Sequence, residues 1–308
     1  INGVVRPYVD VTTQKVRLLF LGGSNRREWR LHFDDDLVMT QIAGDDSFLP
    51  HPIKMTKLLV TPGERLQVVV DFGQYHEGDV VSLYTDDFKL IEFRIHKFED
   101  DNSEIPATLF TPEIPEVDPS LPVRKVTMDG CDKMNGKRFA MQRIDMKQKV
   151  GQAEYWDVTN SKKEGMIHPF HIHGTHFLVV SRNGKKPYPN EVGVYKDTVP
   201  VAPGETVRLL VKFPLEGVFM YHCHIIEHED AGMMAQIEIF DPDHPKTYKL
   251  MDMKTLTKAF AEERGVKPED VWMPGMDTEG CDMKKADVVS GASEEADHAD
   301  ASTGASEH

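Results

Sequence analysis

Cysteines and long apolar runs are scarce in this 308-residue chain, and its basic residues are outnumbered. Three cysteines are too few for a disulfide framework, and no apolar run approaches the ~18–20 residues that a membrane-spanning helix needs. Acidic residues outnumber basic ones by 51 to 36, and the net charge of −15 argues against nucleic acid as the main partner. We therefore expect a protein without a membrane span, long enough for two domains with buried cores.

The chain also lacks the features of a natural beginning. Its first residues, INGVVRPYVDV, include no initiator methionine, and they do not form a signal peptide. We expect this segment to be the middle of a longer chain. The absence of a signal peptide therefore says little about where the protein resides.

Long helical periods are missing from the first 240 residues. Short β-rich runs bounded by Gly, Pro, Asn or Asp occur there instead. The clearest runs are KVRLLFL (15–21), RLQVVVDF (65–72), VVSLYTD (80–86) and HFLVVSR (176–182). This pattern predicts an all-β chain built from β-sandwiches.

One segment recurs along the chain. VTPGERLQVVVDF (60–72) matches VAPGETVRLLVKF (201–213) at about half of its positions, including the Pro-Gly-Glu triplet. A chance resemblance is the alternative, since Pro-Gly before a strand is common. The simplest interpretation is two related sandwiches, at residues 1–98 and 124–242.

The segments outside the two sandwiches have other compositions. Residues 99–123 are acidic and proline-rich, which is typical of an extended linker. In the extension 243–285, the run MKTLTKAFAEERGV (253–266) predicts a short helix with Gly265 near its end. Residues 286–308 contain six acids and no Lys or Arg, which predicts a disordered acidic tail.

The segment YHCHIIEHEDAGMM (221–234) concentrates metal-binding side chains. His222, Cys223 and His224 follow a β-rich run, and side chains alternate between the two faces of a strand. The two histidines therefore point to one face and the cysteine to the other, so one segment can bind a metal on each face. A single structural zinc site does not need this arrangement, because its ligands converge on one point.

A soft metal suits the cysteine face. His228 follows Cys223 by five residues and Met233 by ten, with Gly232 permitting a turn before the methionine. Two imidazoles, a thiolate and a weak axial thioether form a blue-copper site. Spacing favours Met233 as the axial ligand, and the adjacent Met234 is the alternative.

The remaining histidines come from HPFHIHGTHF (168–177). His171 and His173 share a face, whereas His168 has the opposite parity, although Pro169 disturbs regular strand geometry. His176 is surplus, and we expect it to pack or hydrogen-bond beside the site. A zinc site or a set of core histidines is the alternative interpretation. The two predicted ligand sets are His168, Cys223, His228 and Met233, and His171, His173, His222 and His224.

These two motifs resemble the C-terminal cupredoxin domain of multicopper oxidases, especially the bacterial laccase, cuprous oxidase and bilirubin oxidase group. Residues 1–98 resemble the middle domain of that family. The resemblance implies two tandem cupredoxin-like Greek-key sandwiches, of which the first binds no copper. It also implies a type 1 copper at the cysteine site and a trinuclear cluster that reduces dioxygen to water.

The resemblance further implies a role for each cluster histidine. His171 matches a type 2 copper ligand, and His173, His222 and His224 match type 3 ligands. Electrons would pass from Cys223 through its flanking histidines. Glu229 matches an acid thought in relatives to deliver the protons that oxygen reduction consumes. A solvated acid is the alternative for Glu229, and neighbouring Asp230 favours that alternative.

The chain departs from the family in its number of histidines. The family cluster uses eight, four of them in two His-x-His pairs of an N-terminal domain, whereas both such pairs in this chain are already assigned. A symmetric oligomer would only repeat the same four. We expect an N-terminal cupredoxin domain that precedes Ile1 or is supplied by another chain, giving four coppers in the whole protein.

The favoured function is a copper-dependent oxidoreductase that takes single electrons from a phenol-like or metal-ion donor. A blue-copper electron carrier without oxidase activity and a copper nitrite reductase are the alternatives. Both histidines that flank Cys223 belong to the cluster, which favours the oxidase. The donor, the location in a bacterial cytoplasm or cell envelope, and a disulfide between Cys131 and Cys281 stay open.

Overall fold

The computed structural model describes residues 1–113, 118–161, 165–250 and 252–271. Within these ranges, the regular structure is almost entirely β-strand, which confirms the predicted all-β class. The strands form four sheets that pack in two pairs, so that the chain contains two sandwiches. The predicted tail at 286–308 lies outside the described residues, and the boundaries at 98 and 124 stay a prediction.

The first sandwich comes from the N-terminal third of the chain. Its strands are β1 (Tyr8–Val11), β2 (Lys15–Leu21), β3 (Trp29–Phe33), β4 (Met39–Ala43), β5 (Phe48–Met55), β6 (Lys57–Val60), β7 (Arg65–Asp71), β8 (Val80–Thr85) and β9 (Phe88–Ile95). One sheet has the order β1-β9-β8-β3-β6, and the facing sheet has the order β2-β7-β4-β5.

Alternating side chains fill the space between these sheets. In β7, Leu66, Val68 and Val70 are buried while their neighbours are partly exposed, as expected for a strand with one face on a core. Phe72 follows β7 and packs against Phe93, with 5.3 Å between ring centroids. The strands predicted at 15–21, 65–72 and 80–86 are therefore confirmed, each to within one residue.

The second sandwich follows the linker. Its strands are β10 (Val123–Asp129), β11 (Lys133–Met134), β12 (Met146–Lys149), β13 (Ala153–Asn160), β14 (His168–Ile172), β15 (Phe177–Arg182), β16 (Tyr195–Lys196), β17 (Thr198–Val201), β18 (Thr206–Lys212), β19 (Gly217–Cys223) and β20 (Met234–Phe240). The sheet orders are β11-β10-β13-β18-β15-β16 and β12-β20-β19-β14-β17.

Large aromatic side chains form the centre of the second core. Trp156 lies edge-on to Tyr221 at 5.4 Å between ring centroids, and Phe170 packs against both. Cys223 and Met233 belong to the same buried cluster. Strand β14 lies between β19 and β17 in its sheet, so that its predicted ligand residues are held beside a closely packed core.

Two helices complete the described structure, together with 3-10 turns at Asp34–Asp36, Pro189–Glu191 and Pro268–Asp270. Helix α1 (Ile226–Ala231) follows the His-Cys-His motif, and helix α2 (Met253–Arg264) confirms the predicted C-terminal helix. Helix α2 ends at Gly265, whose φ of 65° is left-handed, as the sequence predicts. No helix in the described part of the chain is both long and apolar enough to cross a bilayer.

The repeated Pro-Gly-Glu turns have the same hydrogen bonds in both sandwiches. The Glu64 carboxylate accepts from the Thr61 amide at 2.9 Å, and Glu205 accepts from the Ala202 amide at 2.9 Å. Each turn joins two strands, β6 to β7 and β17 to β18. The sequence repeat therefore corresponds to a structural repeat, not to a chance resemblance.

A loop of the first sandwich docks on the second. The Asp46 amide donates to the Tyr195 carbonyl at 3.2 Å, and the Tyr195 amide donates to Ser47 at 3.0 Å. Asn190 also donates to Gln41 at 2.9 Å. These contacts bring the first sandwich beside the strands that carry the histidine motifs.

Candidate metal centre

Strands β14 and β19 pair in a register that separates the two predicted ligand sets. Phe170 lies opposite Cys223, and His171 lies opposite His222. Directly opposed residues of two paired strands point to the same face, and successive residues point to opposite faces. The two histidine motifs are therefore sorted in the way that the sequence predicts. Strand β14 also continues through Pro169, which lies opposite Pro200 of β17.

His168, Cys223 and His228 come together on one face. Their ligand atoms all lie within 4.8 Å of one another, and all three residues are buried. The sulfur of Cys223 is 3.7 Å from Nδ1 of His228, and the rings of His168 and His228 are nearly perpendicular, with centroids 5.0 Å apart. One thiol and two imidazoles therefore face a common point.

The turn after helix α1 positions Met233, the fourth predicted ligand of this set. Gly232 ends the helix with a φ of 112°, a left-handed conformation that suits glycine. The chain then turns back, so that the Met233 amide donates to the His228 carbonyl at 2.8 Å and the Cys223 amide donates to the Met233 carbonyl at 3.2 Å. Met233 is fully buried, whereas Met234 is only partly buried and lies opposite His222.

The four remaining histidines gather on the opposite face. The ligand atoms of His171, His173 and His222 lie within 4.8 Å of one another, and Nε2 of His173 is 3.0 Å from Nε2 of His222. The ring of His224 is 5.4 Å from that of His171, centroid to centroid. The structure thus brings all four residues of the second predicted set into one cluster.

Backbone carbonyls orient two of these rings. Nδ1 of His171 donates to the Asp197 carbonyl at 2.8 Å, and Nδ1 of His222 donates to the Cys223 carbonyl at 2.9 Å. A ring that donates through Nδ1 has a free lone pair on Nε2, and such outer contacts typically fix the metal-binding nitrogen. Both Nε2 atoms are therefore available as ligands within the cluster.

Several buried histidine nitrogens have no hydrogen-bond partner, which bears on whether a metal fits here. Within the described residues, both ring nitrogens of His168, Nε2 of His228 and Nδ1 of His224 are buried without a hydrogen-bond partner. Buried polar atoms normally have hydrogen-bond partners, and the binding of an ion is one accepted reason for an exception. The donor set is also soft on the cysteine face, so copper fits the residues that are present.

The protonation states agree with a metal site. Burial lowers the pKa of His168 to about 4 and the pKa values of His222 and His228 to about 3. These rings are therefore neutral at pH 7 and keep the lone pairs that metal binding requires. Burial raises the pKa of the Cys223 thiol to about 12, so a cation bound there must displace its proton.

Glu229 and His176 both lie near the histidine cluster, and they differ in burial. The Glu229 carboxylate is half-buried and lies 3.3 Å from Nδ1 of His222, and burial raises its pKa. Asp230 is exposed. His176 is exposed and packs on the ring of Tyr195, with centroids 4.5 Å apart.

The first sandwich contributes contacts that the sequence analysis did not identify. The Asn25 carbonyl accepts from the Ile226 amide, 2.9 Å away, at the start of helix α1. Gly63 packs on His224, and Arg65 forms two 2.6 Å hydrogen bonds with Asp197. The only signal for this turn in the sequence is the repeated Pro-Gly-Glu, which does not reveal what it contacts.

Of the two cysteines outside the predicted ligand set, only Cys131 lies in the described part of the chain. Cys131 is buried after strand β10. Cys281, its possible disulfide partner, lies outside the described residues.

Comparisons with known proteins indicate the family to which the second sandwich is similar. Residues 114–243 match the family model described as multicopper oxidase. The chain is 36% identical over 244 residues to the multicopper oxidase mco of Staphylococcus aureus, covering 78% of this chain and 51% of that protein. It is 32% identical over 302 residues to a laccase of Haloferax volcanii, covering 86% of this chain and 51% of the laccase.

Solved structures of multicopper oxidases have a fold similar to that of this chain. The crystal structure of a multi-copper oxidase from Pediococcus acidilactici superimposes with a TM-score of 0.78 at 52% sequence identity. The match covers 81% of this chain and 54% of that structure. The two sandwiches are therefore cupredoxin-like, and the chain spans about half the length of the relatives that it matches.

The buried imidazoles predict an acid-sensitive metal-free protein. Unfolded histidines protonate near their ordinary pKa of 6.5, whereas folded His168 stays neutral down to about pH 4. The unfolded state binds more protons between these values, so the free energy of unfolding should fall as the pH drops through this window, by about 2–3 kcal/mol for His168 alone.

Urea unfolding of the metal-free chain at about pH 7 and about pH 4.5 measures this loss. His168→Gln should reduce the loss, because its titrating group is gone. His76→Gln, at a position with a 90% exposed side chain, should leave the loss unchanged. An equal loss in the His168→Gln variant would contradict the prediction.

Proposed function

The chain carries a multicopper oxidase domain, and we propose that it forms the two C-terminal cupredoxin modules of a copper-dependent oxidoreductase. The whole protein would take electrons one at a time from a donor, phenol-like or a metal ion, and reduce dioxygen to water. The observation that supports this most is the sorting of the ligands. A cysteine site and a histidine cluster occupy opposite faces of one strand pair and share the segment His222–His224.

Eight side chains would hold copper in this proposal. Copper held there would supply reversible one-electron redox chemistry. The type 1 ligands are His168, Cys223, His228 and Met233, the type 2 ligand is His171, and the type 3 ligands are His173, His222 and His224.

Cys223 connects the two sites covalently. Its neighbours on either side, His222 and His224, both belong to the cluster, so the path from sulfur to either imidazole runs through few bonds. The Cys223 amide donates to the Met233 carbonyl, and its side chain is fully buried, which keeps water away from the sulfur. The arrangement supports electron transfer from the first site to the second.

Glu229 is the proposed proton donor. Its carboxylate lies 3.3 Å from a ring nitrogen of His222 and is 28% exposed, so it contacts both the cluster and solvent. A carboxyl group in that position can take a proton from water and release it beside the cluster.

Four histidines leave the cluster half complete. The proposal therefore requires an N-terminal cupredoxin domain, on the same chain or another, with two further His-x-His pairs. Without it, this chain would act as a blue-copper electron carrier. The whole protein would hold four coppers.

Cys223→Ser should abolish the blue colour of the copper-loaded chain. The intense visible absorption of such a site needs the bond between the thiolate and copper, which a serine cannot form. Visible absorption and copper content measure the effect, and Cys131→Ser, which removes the other described thiol, is the matched control. Retention of the intense band in the Cys223→Ser variant would refute the ligand assignment.

Met233→Leu should leave the chain blue and raise its reduction potential. The axial thioether is a weak ligand that favours the oxidised metal, so its loss favours the reduced state. Redox titration of the visible band measures the potential, with Met234→Leu as the control. A potential raised only by Met234→Leu would assign the axial position to that residue instead.

The isolated chain should bind one copper tightly, turn blue and accept an electron, yet consume almost no oxygen. Adding an N-terminal cupredoxin with two His-x-His pairs should restore oxygen uptake, because it supplies the missing imidazoles. Copper analysis and an oxygen electrode provide the two measurements. Full copper loading with oxygen turnover by the isolated chain would show that other histidines complete the cluster.

A further inference from the structure

Two consecutive residues of each sandwich pair with two consecutive residues of the other. Glu64 accepts from Lys196 at 3.2 Å, and Arg65 forms two hydrogen bonds of 2.6 Å with the carboxylate of Asp197. The order of charges is acid then base in the first sandwich, and base then acid in the second. The pairing is therefore specific for one register between the two sandwiches.

The first of these pairs is almost completely buried. The Lys196 ammonium also contacts Asp45 at 3.1 Å, and the three side chains are at most 5% exposed. A buried charge that loses its partner is strongly unfavourable, because neither water nor an opposite charge then compensates for it. The contact between the sandwiches therefore tolerates little sliding at this point.

The second pair leads directly to the histidine cluster. The Asp197 carbonyl accepts the 2.8 Å hydrogen bond from Nδ1 of His171. Thr198 completes the arrangement, because its hydroxyl donates to the Asp197 carboxylate at 2.8 Å and lies 3.1 Å from the same ring nitrogen. Arg65 thus anchors the residue whose backbone orients His171.

The turn that precedes Arg65 packs on a second cluster histidine. Gly63 has a φ of 86°, and a Cβ atom added there would lie 2.5 Å from Cδ2 of His224. Arg65 also donates to the Gly63 carbonyl at 3.0 Å. One arginine therefore connects the backbone beside His171 with the backbone beside His224.

The repeated turn of the second sandwich differs from the turn of the first sandwich in its ionic contacts. Glu205 occupies the position of Glu64 but pairs with Arg182 of its own sandwich, at 3.0 Å. The position of Arg65 is taken by Thr206. The turn itself is therefore common to both sandwiches, whereas its ionic contacts across to the neighbouring sandwich occur only in the first copy.

We propose that residues 61–65 of the first sandwich position the cluster histidines, with Arg65 as the positioning residue that orients His171 through Asp197. The first sandwich would thereby control the geometry of a metal site to which it contributes no ligand. This inference depends on the proposed function for the role of the cluster, but its test does not require copper.

The test compares Arg65→Met with Arg208→Met in the 308-residue chain. Arg208 also forms a two-pronged pair, with Asp157 at 2.7 and 2.8 Å, and its side chain is 39% exposed against 35% for Arg65. The readout is the ¹⁵N-edited NMR signal of the His171 Nδ1 proton in the metal-free protein.

Arg65→Met should cause loss of this sharp proton signal, because the Asp197 carbonyl is no longer anchored, while Arg208→Met retains it. The copper-loaded Arg65→Met chain should remain as blue as the parent, since the cysteine site does not contact Arg65. An unchanged His171 signal in Arg65→Met, equal loss in both variants, or loss of the blue colour in Arg65→Met would each overturn the proposal.

A second pair of variants tests the contact with His224. Gly63→Ala and Gly78→Ala both place a side chain at a left-handed φ, 86° and 97°, but a Cβ at Gly78 meets no atom within 4 Å. Only Gly63→Ala should shift the His224 ring signals of the metal-free chain. Equal spectra for the two variants would refute the contact. If copper failed to bind at all, the proposed function would fail while these metal-free spectra would still report on positioning.

Discussion

The register between β14 and β19 is the constraint on which the candidate metal centre depends. With Phe170 opposite Cys223 and His171 opposite His222, the two-residue period of a strand sends alternate side chains to opposite faces. A slip of one residue would exchange the faces and mix the two ligand sets. The aromatic core around Trp156 prevents such a slip, because both strands are packed against it.

The candidate metal centre also requires a fixed position of the first sandwich against the second. Three of the four cluster histidines, His171, His173 and His224, are only partly buried. In the first sandwich, the turn at 61–65 packs on His224, and the loop at Asn25 contacts the start of helix α1. A module without ligands is thus part of the support of the centre, which is how outer contacts tune many metal sites.

The sequence predicted those parts of the structure that have a local signature. Strand periodicity, the alternation in His-Cys-His and the glycine before Met233 each act within a few residues, and the structure has them as expected. The contacts of Arg65 with Asp197 join residues 132 positions apart. In the sequence these residues resemble ordinary surface charges, so neither composition nor spacing distinguishes them, and only the docked sandwiches show the pairing.

Burial explains why such support is needed. Several imidazole nitrogens are removed from water without a protein partner, and each costs the metal-free fold about 1–3 kcal/mol. A bound cation can compensate for these costs, but only if the rings keep the orientation in which their lone pairs converge. The ion pairs across the sandwiches and the carbonyls that accept from His171 and His222 hold that orientation before any metal arrives. The rigidity of the surroundings is therefore what would make these imidazoles usable as a ligand set.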